Sequence, residues 1–384
     1  MSPRAAVPFA LTCLLLGGCL PSVQPKDGSA PTPDDTGGAP TGQRAALTTT
    51  AQDYTTGSFA TVGVDDWSVD DAIFVTSGDP VVKMSAGVLY QINRYGYDNV
   101  RAYVPGDWQR PRWEVSTGDY SNPVDVERCG EALWVALYEA SALRLLDPET
   151  GLSRGSLDLS AYGDGDGVGP EAAQLFAEDD VLYVVLNRLD RVDGWARRPG
   201  QVVRVDCAAE AVTGAWWVGG NPRVTRAESP GQFWVASEGS TPGSGEPPAL
   251  PAGLYRLDTT IEADSGAEPL RLILASPEGE PSVGPLAAAG GVAIFTRYTE
   301  SYESVVDCVG LDGGPPQRLL NSAGFINAAA ANAAGEVWLT SHWGWTDPDN
   351  DQPGVHVVDP AACALRNAGA PIATRLAPTS LAFY

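Results

Sequence analysis

The sequence predicts an all-β protein, a seven-bladed β-propeller whose last blade is closed by strands from both ends of the chain. Three observations support this fold class. Short runs of Val, Leu, Ile, Trp and Tyr recur from about residue 45 to residue 384, separated by Gly, Pro, Asn and Asp. A repeat of roughly fifty residues begins at successive prolines. The two ends of the chain together supply one further unit of the same kind.

The repeat is most regular at the prolines that precede short strands, which are Pro80, Pro123, Pro170, Pro222, Pro285 and Pro378. The last interval has room for two units. Each unit has a strand after the proline, a second after a Gly or acidic turn, a third ending in Asp, and a fourth. Four antiparallel strands in a repeat of this length are typical of a propeller blade. The Ala-rich segment 327–340 is the one candidate helix.

The chain ends are complementary. The C-terminal "PTSLAFY" predicts a first strand without successors, and residues 46–78 predict three strands without a first strand. Joined, they complete one blade and remove the exposed edges of an open ring. This predicts seven blades, with six or eight as the alternatives.

Residues 1–19 have the pattern of an export signal. Arg4 precedes an apolar run that is too short to span a bilayer. The run ends in "LGGC", which resembles a bacterial lipobox and implies a lipoprotein with diacylglycerol and palmitate on Cys19. Leu20 after the cysteine implies the outer membrane. An ordinary signal peptide is the alternative.

Residues 20–44 are rich in Pro, Gly, Ser and Thr and predict a flexible linker before a propeller over 45–384. We therefore expect a cell-envelope protein that meets the membrane through its lipid anchor. The 48 acidic and 24 basic residues give a formal net charge of −24. Such a charge disfavours nucleic acid as a partner, because the phosphates would be repelled.

Four cysteines remain after the signal segment, and an even number in an exported domain favours disulfides. Four cysteines allow three pairings. Their places in the repeats put all of them on the face opposite the expected ligand-binding mouth. Pairing between neighbouring blades predicts the disulfides Cys129–Cys207 and Cys308–Cys363.

Polar motifs collect in the loops of the other face. In a propeller the second-to-third loops and the blade-to-blade connections emerge on the same side, around a channel where ligands commonly bind. The candidate ligand-binding residues there are Asn93, Arg94, Asp98, Asn122, Glu139, Asp164, Asp166, Glu171, Asn187, Arg188, Asp190, Arg191 and His342. The alternative is that these side chains only cross-link adjacent loops.

Two acidic segments, 164–171 and 347–351, match a calcium-binding loop in part. In "DGDGVGPE" (164–171) two acids and a glycine fit the EF-hand spacing, but the fifth position is Val168 and the twelfth is Leu175. The calcium candidates are Asp164, Asp166, Asp347, Asp349 and Asp351. We expect no cofactor, with calcium as the alternative, and interpret 164–171 as a charged clasp that reaches Asn93-Arg94 and the 187–191 segment.

Hydrolytic motifs are absent from the sequence. The chain has two histidines, His342 and His356, and lacks GxSxG and HExxH. A Ser-His-acid triad and a zinc site are therefore disfavoured.

Several of these motifs together resemble a known family. Asn93-Arg94 with Asp98-Asn99, Asn122-Pro123, segment 164–171 and "NRLDR" (187–191) resemble exported β-propeller lipoproteins of myxobacteria and related bacteria. That family is similar to YncE-like and surface-layer-type propellers. The resemblance implies a fold and a compartment but no substrate.

The sequence favours a non-enzymatic binding or scaffold module of the envelope, with another envelope protein or a small ligand as partner. One alternative is a metal-assisted hydrolase, lactonase-like or lyase-like, that uses the channel mouth, where Glu171, Asn187 and His342 would be the nearest residues. A second alternative is a purely structural surface protein.

Overall fold

The computed structural model describes residues 42–163, 165, 167, 169–243, 245–262, 267–278, 280, 282–310, 313–322, 324–344, 352–368 and 370–384. Their fold is a seven-bladed β-propeller of four-stranded antiparallel sheets, as the sequence predicts. Cys19, the predicted signal segment and most of the predicted linker lie outside the described residues. In the described part, no helix is both long and apolar enough to cross a membrane.

The strands follow the chain in blade order. The first three are β1 (Arg44–Thr50), β2 (Gly57–Gly63) and β3 (Val69–Thr76). Blade 1 contains β4 (Pro80–Ser85), β5 (Val88–Asn93), β6 (Asn99–Tyr103) and β7 (Trp113–Ser116). Blade 2 contains β8 (Pro123–Cys129), β9 (Ala132–Leu137), β10 (Ala142–Leu146) and β11 (Ser153–Asp158). A short 3₁₀ helix follows at Ser160–Tyr162.

Blade 3 carries an inserted hairpin. Its sheet is formed by β12 (Ala172–Glu178), β13 (Val181–Leu186), β16 (Gly200–Asp206) and β17 (Ala211–Val218). The hairpin consists of β14 (Leu189–Asp190) and β15 (Ala196–Arg197). Blade 4 contains β18 (Arg223–Arg226), β19 (Gln232–Glu238), β20 (Ala252–Asp258) and β21 (Leu270–Ala275).

Two further blades precede the closure. Blade 5 contains β22 (Ser282–Ala289), β23 (Val292–Tyr298), β24 (Ser304–Gly310) and β25 (Gln317–Ser322). Blade 6 contains β26 (Ile326–Ala331), β27 (Val337–Ser341), β28 (Gly354–Asp359) and β29 (Ala364–Leu365). In each blade the first strand is innermost and lines the channel.

Blade 7 closes the ring with both chain ends. The last strand, β30 (Ala377–Phe383), is innermost and pairs antiparallel with β1, in the sheet order β3-β2-β1-β30. The backbones of Arg44 and Tyr384 exchange two hydrogen bonds of 3.0 and 2.9 Å. The predicted closure is confirmed, because the C-terminal strand completes the four-stranded sheet that the N-terminal strands begin.

The core lies between the blades. Each apolar cluster joins side chains of two neighbouring blades; Trp134 of blade 2 packs with Leu175 of blade 3, and Trp338 of blade 6 with Leu381 of blade 7. Trp134 and Trp338 are fully buried. Burial of large aromatic and aliphatic side chains at every blade junction is the main stabilising contribution to the ring.

The Ala-rich segment 327–340 is not helical. It contributes to the strands β26 and β27, which pair antiparallel. Tertiary pairing overrides the helix propensity of alanine here, because the innermost strand faces the channel axis and small side chains fit there.

Both predicted disulfides are present. Cys129–Cys207 joins blades 2 and 3, and Cys308–Cys363 joins blades 5 and 6, each with a Cα–Cα distance of 5.8 Å. They lie on the side of the first-to-second and third-to-fourth turns. The opposite side, from which the second-to-third loops and the blade connections emerge, is called the mouth face below. Disulfides of this kind are typical of proteins outside the cytosol.

Candidate functional site

A cavity of about 490 Å³ lies in the central channel. The innermost strands line it together with loops of the mouth face. Its polar lining comprises Lys83, Arg94, Asn122, Asp125, Tyr138, Gln174, Asn187, Arg223, Asn327, Thr379 and Ser380. Of the residues predicted from sequence, Arg94, Asn122 and Asn187 line this cavity.

Arg94 and Asn93 have different roles. Arg94 lines the cavity and forms an ion pair with Asp79 at the start of the same blade. Asn93 is buried, and its Oδ1 accepts hydrogen bonds from Ser77 (3.1 Å) and Gln91 (2.9 Å). Asn93 therefore holds the end of β5 in place, while Arg94 is positioned to contact a ligand.

Asp98 organises the neighbouring blade connection. Its two carboxylate oxygens accept hydrogen bonds from the backbone amides of Tyr120 and Asn122, both at 2.9 Å. Asp98 is buried, so a direct ligand contact is not its main role. Asn122 lines the cavity, and within the described residues its Oδ1 accepts no hydrogen bond.

Glu139, Glu171 and Arg191 form a charged clasp on the mouth face. Arg191 Nη1 lies 2.5 Å from Glu139 and Arg191 Nε lies 2.9 Å from Glu171. Glu171 is almost fully buried, and its other oxygen accepts the backbone amide of Leu189 at 2.6 Å. Burial would lower the pKa of Arg191, but the two carboxylates outweigh it and raise that pKa. The clasp therefore joins blade connection 2–3 to the inserted hairpin.

The predicted reach of the 164–171 segment is only partly correct. Glu171 contacts the 187–191 segment, whereas Asn93 and Arg94 take the partners given above. Asp164 and Asp166 lie outside the described residues, so their part of the clasp stays a prediction.

Arg188 and Asp190 stabilise loops. Arg188 is buried and donates to the carbonyl oxygens of Tyr162 (2.9 Å), Pro199 (2.6 Å) and Gly163 (3.1 Å). It also pairs with a glutamate, Glu246, at 2.8 Å. Asp190 pairs with Arg198 at 2.6 Å. Both residues belong to the mouth face, but their described contacts are with the protein itself.

His342 lies away from the cavity. It is buried, its ring stacks on Tyr54 with 5.3 Å between centroids, and Nδ1 lies 3.2 Å from the carbonyl oxygen of Trp343. The predicted loop position is correct, yet the ring belongs to an aromatic packing group and not to the channel lining.

Two cavity residues not singled out from the sequence are Lys83 and Asp125, on the innermost strands of blades 1 and 2. Lys83 Nζ lies 3.0 Å from Asp125 and 3.5 Å from Glu127, and it donates to the carbonyl oxygen of Leu175 at 3.1 Å. Burial would lower the pKa of Lys83, but the two carboxylates raise it. Lys83 lies three residues after Pro80 and Asp125 two residues after Pro123, so the distance from the repeat proline was not a sufficient signal for these inward-facing charges.

Arg223 and Tyr138 are two further unpredicted residues of the cavity. Within the described residues, the Arg223 guanidinium has no hydrogen bond and no ion pair, and it lines the cavity as an available cation. Burial raises the pKa of Tyr138, the Glu171 carboxylate adds to the rise, and a hydrogen bond with Asn187 partly offsets it. Tyr138 is thus a protonated phenol at neutral pH and can donate a hydrogen bond.

Metal ligands do not cluster in the described residues, where no group of three or more His, Cys, Asp or Glu side chains is placed to hold an ion. The calcium candidates Asp164, Asp166, Asp347, Asp349 and Asp351 all lie outside the described residues, so the calcium alternative stays a prediction.

Solved structures agree with the fold. The chain is similar to the periplasmic gluconolactonase PpgL of Pseudomonas aeruginosa, with 15% identity, TM-score 0.60, and 89% of this chain and 99% of that chain covered. It is also similar to a putative 6-phosphogluconolactonase of Bacteroides fragilis, with 12% identity, TM-score 0.62, and 91% and 100% covered. AztD of Citrobacter koseri matches at 13% identity and TM-score 0.51, over 89% and 98%. At these identities, the likeness establishes the propeller fold alone.

No protein-family model matches the chain, and no curated protein sequence matches it either. The resemblance to a specific lipoprotein family therefore has no support from a family match. The leading functional prediction, a non-enzymatic binding or scaffold module, is wrong on this comparison. The structural neighbours include lactonases, and the lactonase-like alternative fits them better.

Proposed function

We propose that this chain is a propeller hydrolase of the lactonase type, which opens the cyclic ester of a sugar acid in the channel cavity. Two lines of support converge on this reaction class. The structural neighbours described above include a gluconolactonase and a putative 6-phosphogluconolactonase. The cavity also has the polar lining and the volume that a sugar lactone requires.

The observation that carries the proposal is the available guanidinium of Arg223. An arginine on an innermost strand, without an ion-pair partner among the described residues, is placed to bind developing negative charge. In a partly enclosed cavity such a charge is worth more than in water. Arg223 therefore has the position and the charge expected of a group that binds the carbonyl oxygen of the lactone.

The reaction is hydrolysis of an ester bond. The water oxygen bonds to the carbonyl carbon, the carbonyl oxygen takes the negative charge beside Arg223, and the bond from that carbon to the ring oxygen then breaks. The ring oxygen leaves as a hydroxyl after taking a proton, for which the Tyr138 phenol is a suitable donor. The attacking water loses two protons, one of which restores the Tyr138 phenol while the other is released to solvent, so that the products are a hydroxy carboxylate and a proton. Asn122 and Asn187 line the same cavity, and a polyhydroxylated substrate supplies donors to their amide oxygens.

A lactone is a suitable substrate for such a cavity because it hydrolyses slowly even without a catalyst. Positioning and charge stabilisation are then the main contributions required of the protein. This chemistry needs no Ser-His-acid triad, in keeping with the lack of the corresponding motif in the sequence.

The test is a proton-release assay with glucono-δ-lactone and 6-phosphogluconolactone at neutral pH. We expect the purified protein to open at least one of them faster than the spontaneous reaction, in proportion to protein concentration. A rate equal to the spontaneous rate for both lactones overturns the proposal.

We further propose that the protein is an exported lipoprotein of the outer membrane, anchored through acyl chains on Cys19 and belonging to the family of exported propeller lipoproteins. The signal-like residues 1–19 and the lipobox-like "LGGC" support this. The two disulfides also support it, since they persist in oxidising compartments.

A further inference from the structure

The exposed aromatic side chains of the described residues all lie on the mouth face. Trp217 ends the outer strand β17 beside a blade connection. The others occupy loops of that face and are called the aromatic rim: Tyr54, Tyr95, Tyr97, Tyr120, Trp195 and Tyr302. The exposed aliphatic residues are not confined in this way, since Leu152 lies on a turn of the opposite face and Val192 lies in the inserted hairpin of the mouth face. Exposed aromatic groups are therefore confined to the surroundings of the channel mouth.

The backbone holds most of the rim in an uncommon conformation. Tyr54, Tyr95, Tyr120, Trp195 and Tyr302 have φ values of 56°, 45°, 60°, 67° and 65°. Bulky residues seldom adopt this left-handed region, and it persists where the surrounding structure enforces it. These rim residues are thus held in defined positions at the surface, where the Tyr54 ring also stacks on His342 and the Trp195 ring lies against the Arg191 guanidinium.

At Tyr120 the enforcing contact is visible. The buried Asp98 carboxylate accepts the backbone amides of Tyr120 and Asn122, which fixes the loop that carries this ring. Tyr95 and Tyr97 belong to the loop of Asp98 itself. Three exposed tyrosines, 76%, 59% and 83% exposed for Tyr95, Tyr97 and Tyr120, are therefore held in adjoining loops by one buried carboxylate.

Exposed carboxylates accompany the rim. Asp53 and Asp119 directly precede Tyr54 and Tyr120, and Asp193 lies two residues before Trp195. A pyranose ring presents an apolar face of C–H groups and an edge of hydroxyls. An aromatic ring covers such a face, and a carboxylate accepts hydrogen bonds from such hydroxyls. The combination suits sugar units, one beside each aromatic side chain.

The arrangement is less suited to a protein partner. Energetically important aromatic residues of protein interfaces cluster at the dry centre of a patch, whereas the centre here is a polar cavity lined by Arg94 and Arg223. The net charge of −24 disfavours an acidic polysaccharide. A neutral chain of pyranose units agrees with both observations.

We propose that the aromatic rim is a binding surface for a neutral oligosaccharide, which lies across the channel mouth and stacks on Tyr95, Tyr97 and Tyr120. The rim is distinct from the cavity residues that carry the hydrolase proposal, so each proposal stands or fails separately. A rim that binds sugars is also compatible with a sugar-derived substrate in the channel cavity.

The test is isothermal titration calorimetry, in which the purified protein is titrated separately with cellohexaose, chitohexaose and maltohexaose. We expect at least one of them to bind with a Kd below about 1 mM. The triple variant Tyr95→Ala, Tyr97→Ala, Tyr120→Ala should weaken that binding by roughly tenfold or more. Leu152→Ala, an exposed apolar residue on the opposite face, is the matched control and should leave the affinity unchanged.

Two results overturn the proposal. One is the absence of binding for all three oligosaccharides, which would leave the rim to a protein partner. The other is binding that the triple variant does not weaken although its thermal unfolding matches the wild type. Arg223→Gln separates the two proposals, because it should lower kcat/KM for the lactone by about 100-fold and preserve oligosaccharide binding.

Discussion

The ammonium group of Lys83 lies 3.0 Å from Oδ2 of Asp125, across the boundary between blades 1 and 2. The same ammonium group donates to the carbonyl oxygen of Leu175 in blade 3. One side chain therefore ties together the innermost strands of three blades. Because both charges are largely shielded from water, each depends on the other for its solvation.

Replacement of Lys83 by Met should destabilise the protein in a pH-dependent way. Burial already raises the pKa of Glu127, and Lys83 partly counteracts this. An acid whose folded-state pKa lies above its unfolded value stabilises the fold less as pH rises through that range. We expect Lys83→Met to lower the free energy of unfolding by about 3 kcal/mol at pH 8, and by less at pH 5, relative to the wild type. Urea unfolding at the two pH values measures this difference.

The control for this variant is Lys83→Arg, which keeps the positive charge. It should retain most of the stability at both pH values. An equal loss at pH 5 and pH 8 for Lys83→Met would contradict the electrostatic explanation.

Burial of the His356 side chain predicts that the folded protein loses stability in acid. It lies in β28, and burial lowers its pKa to about 4. A base with a lowered folded-state pKa contributes stability above its unfolded pKa of about 6.5, which is lost as pH falls through 6.5 toward 4. We expect this group to account for about 3 kcal/mol of the decrease in unfolding free energy between pH 7 and pH 4. The variant His356→Leu should show a correspondingly flatter pH profile, and an unchanged profile would refute the assignment.

The two disulfides should each stabilise the ring by restricting the unfolded chain. Their sequence separations are 78 for Cys129–Cys207 and 55 for Cys308–Cys363. Loops of these lengths correspond to about 4 kcal/mol each in the chain-entropy model. The double variants Cys129→Ser with Cys207→Ser, and Cys308→Ser with Cys363→Ser, should unfold at lower urea concentrations. A non-reducing peptide map of the wild type should show these two pairs, and any other pairing contradicts the structure.

The proposed lipid anchor on Cys19 predicts a covalent modification. Cells that express the protein and are fed labelled palmitate should incorporate the label, and Cys19→Ser should remove it. The variant Cys13→Ser is a suitable control, since Cys13 lies within the segment that would be cleaved off. Label retained in Cys19→Ser would exclude Cys19 as the acylated residue.

The sequence was sufficient to predict the fold because a proline marks the start of most repeats. Prolines such as Pro80 and Pro123 begin innermost strands, so the position of every turn follows from them. The cysteine pairs follow in the same way, since the turns that contain Cys129 and Cys207 belong to neighbouring blades on one face.

Contacts within the mouth face were harder to predict. The loop positions of Asp98 and Arg188 were correct, but their partners come from other loops. Asp98 binds amides of the next blade connection, and Arg188 binds carbonyl oxygens of Tyr162 and Gly163. Sequence spacing contains no information on such distant acceptors, so residues that hold loops could not be separated from residues that face a ligand.

Part of the channel lining, including Lys83, Asp125 and Arg223, was missed for a related reason. A register shift between Pro123 and Asp125 changes which side chains of β8 face inward, and a simple alternation of the strand does not include it. Arg223 and Lys83 likewise stand out only once the innermost strands are placed around one axis. Their importance comes from the shared cavity and not from a local motif.

Arg223 is the residue on which the proposed lactone hydrolysis in the channel cavity depends. The most direct test of this dependence is kcat/KM for glucono-δ-lactone in the wild type, Arg223→Gln and Arg226→Gln. Arg226 is on the same strand, is exposed and does not line the cavity, which makes it the matched control. We expect Arg223→Gln to lower kcat/KM by about 100-fold and Arg226→Gln to keep the wild-type value. Wild-type hydrolysis that persists undiminished in Arg223→Gln would contradict the claim.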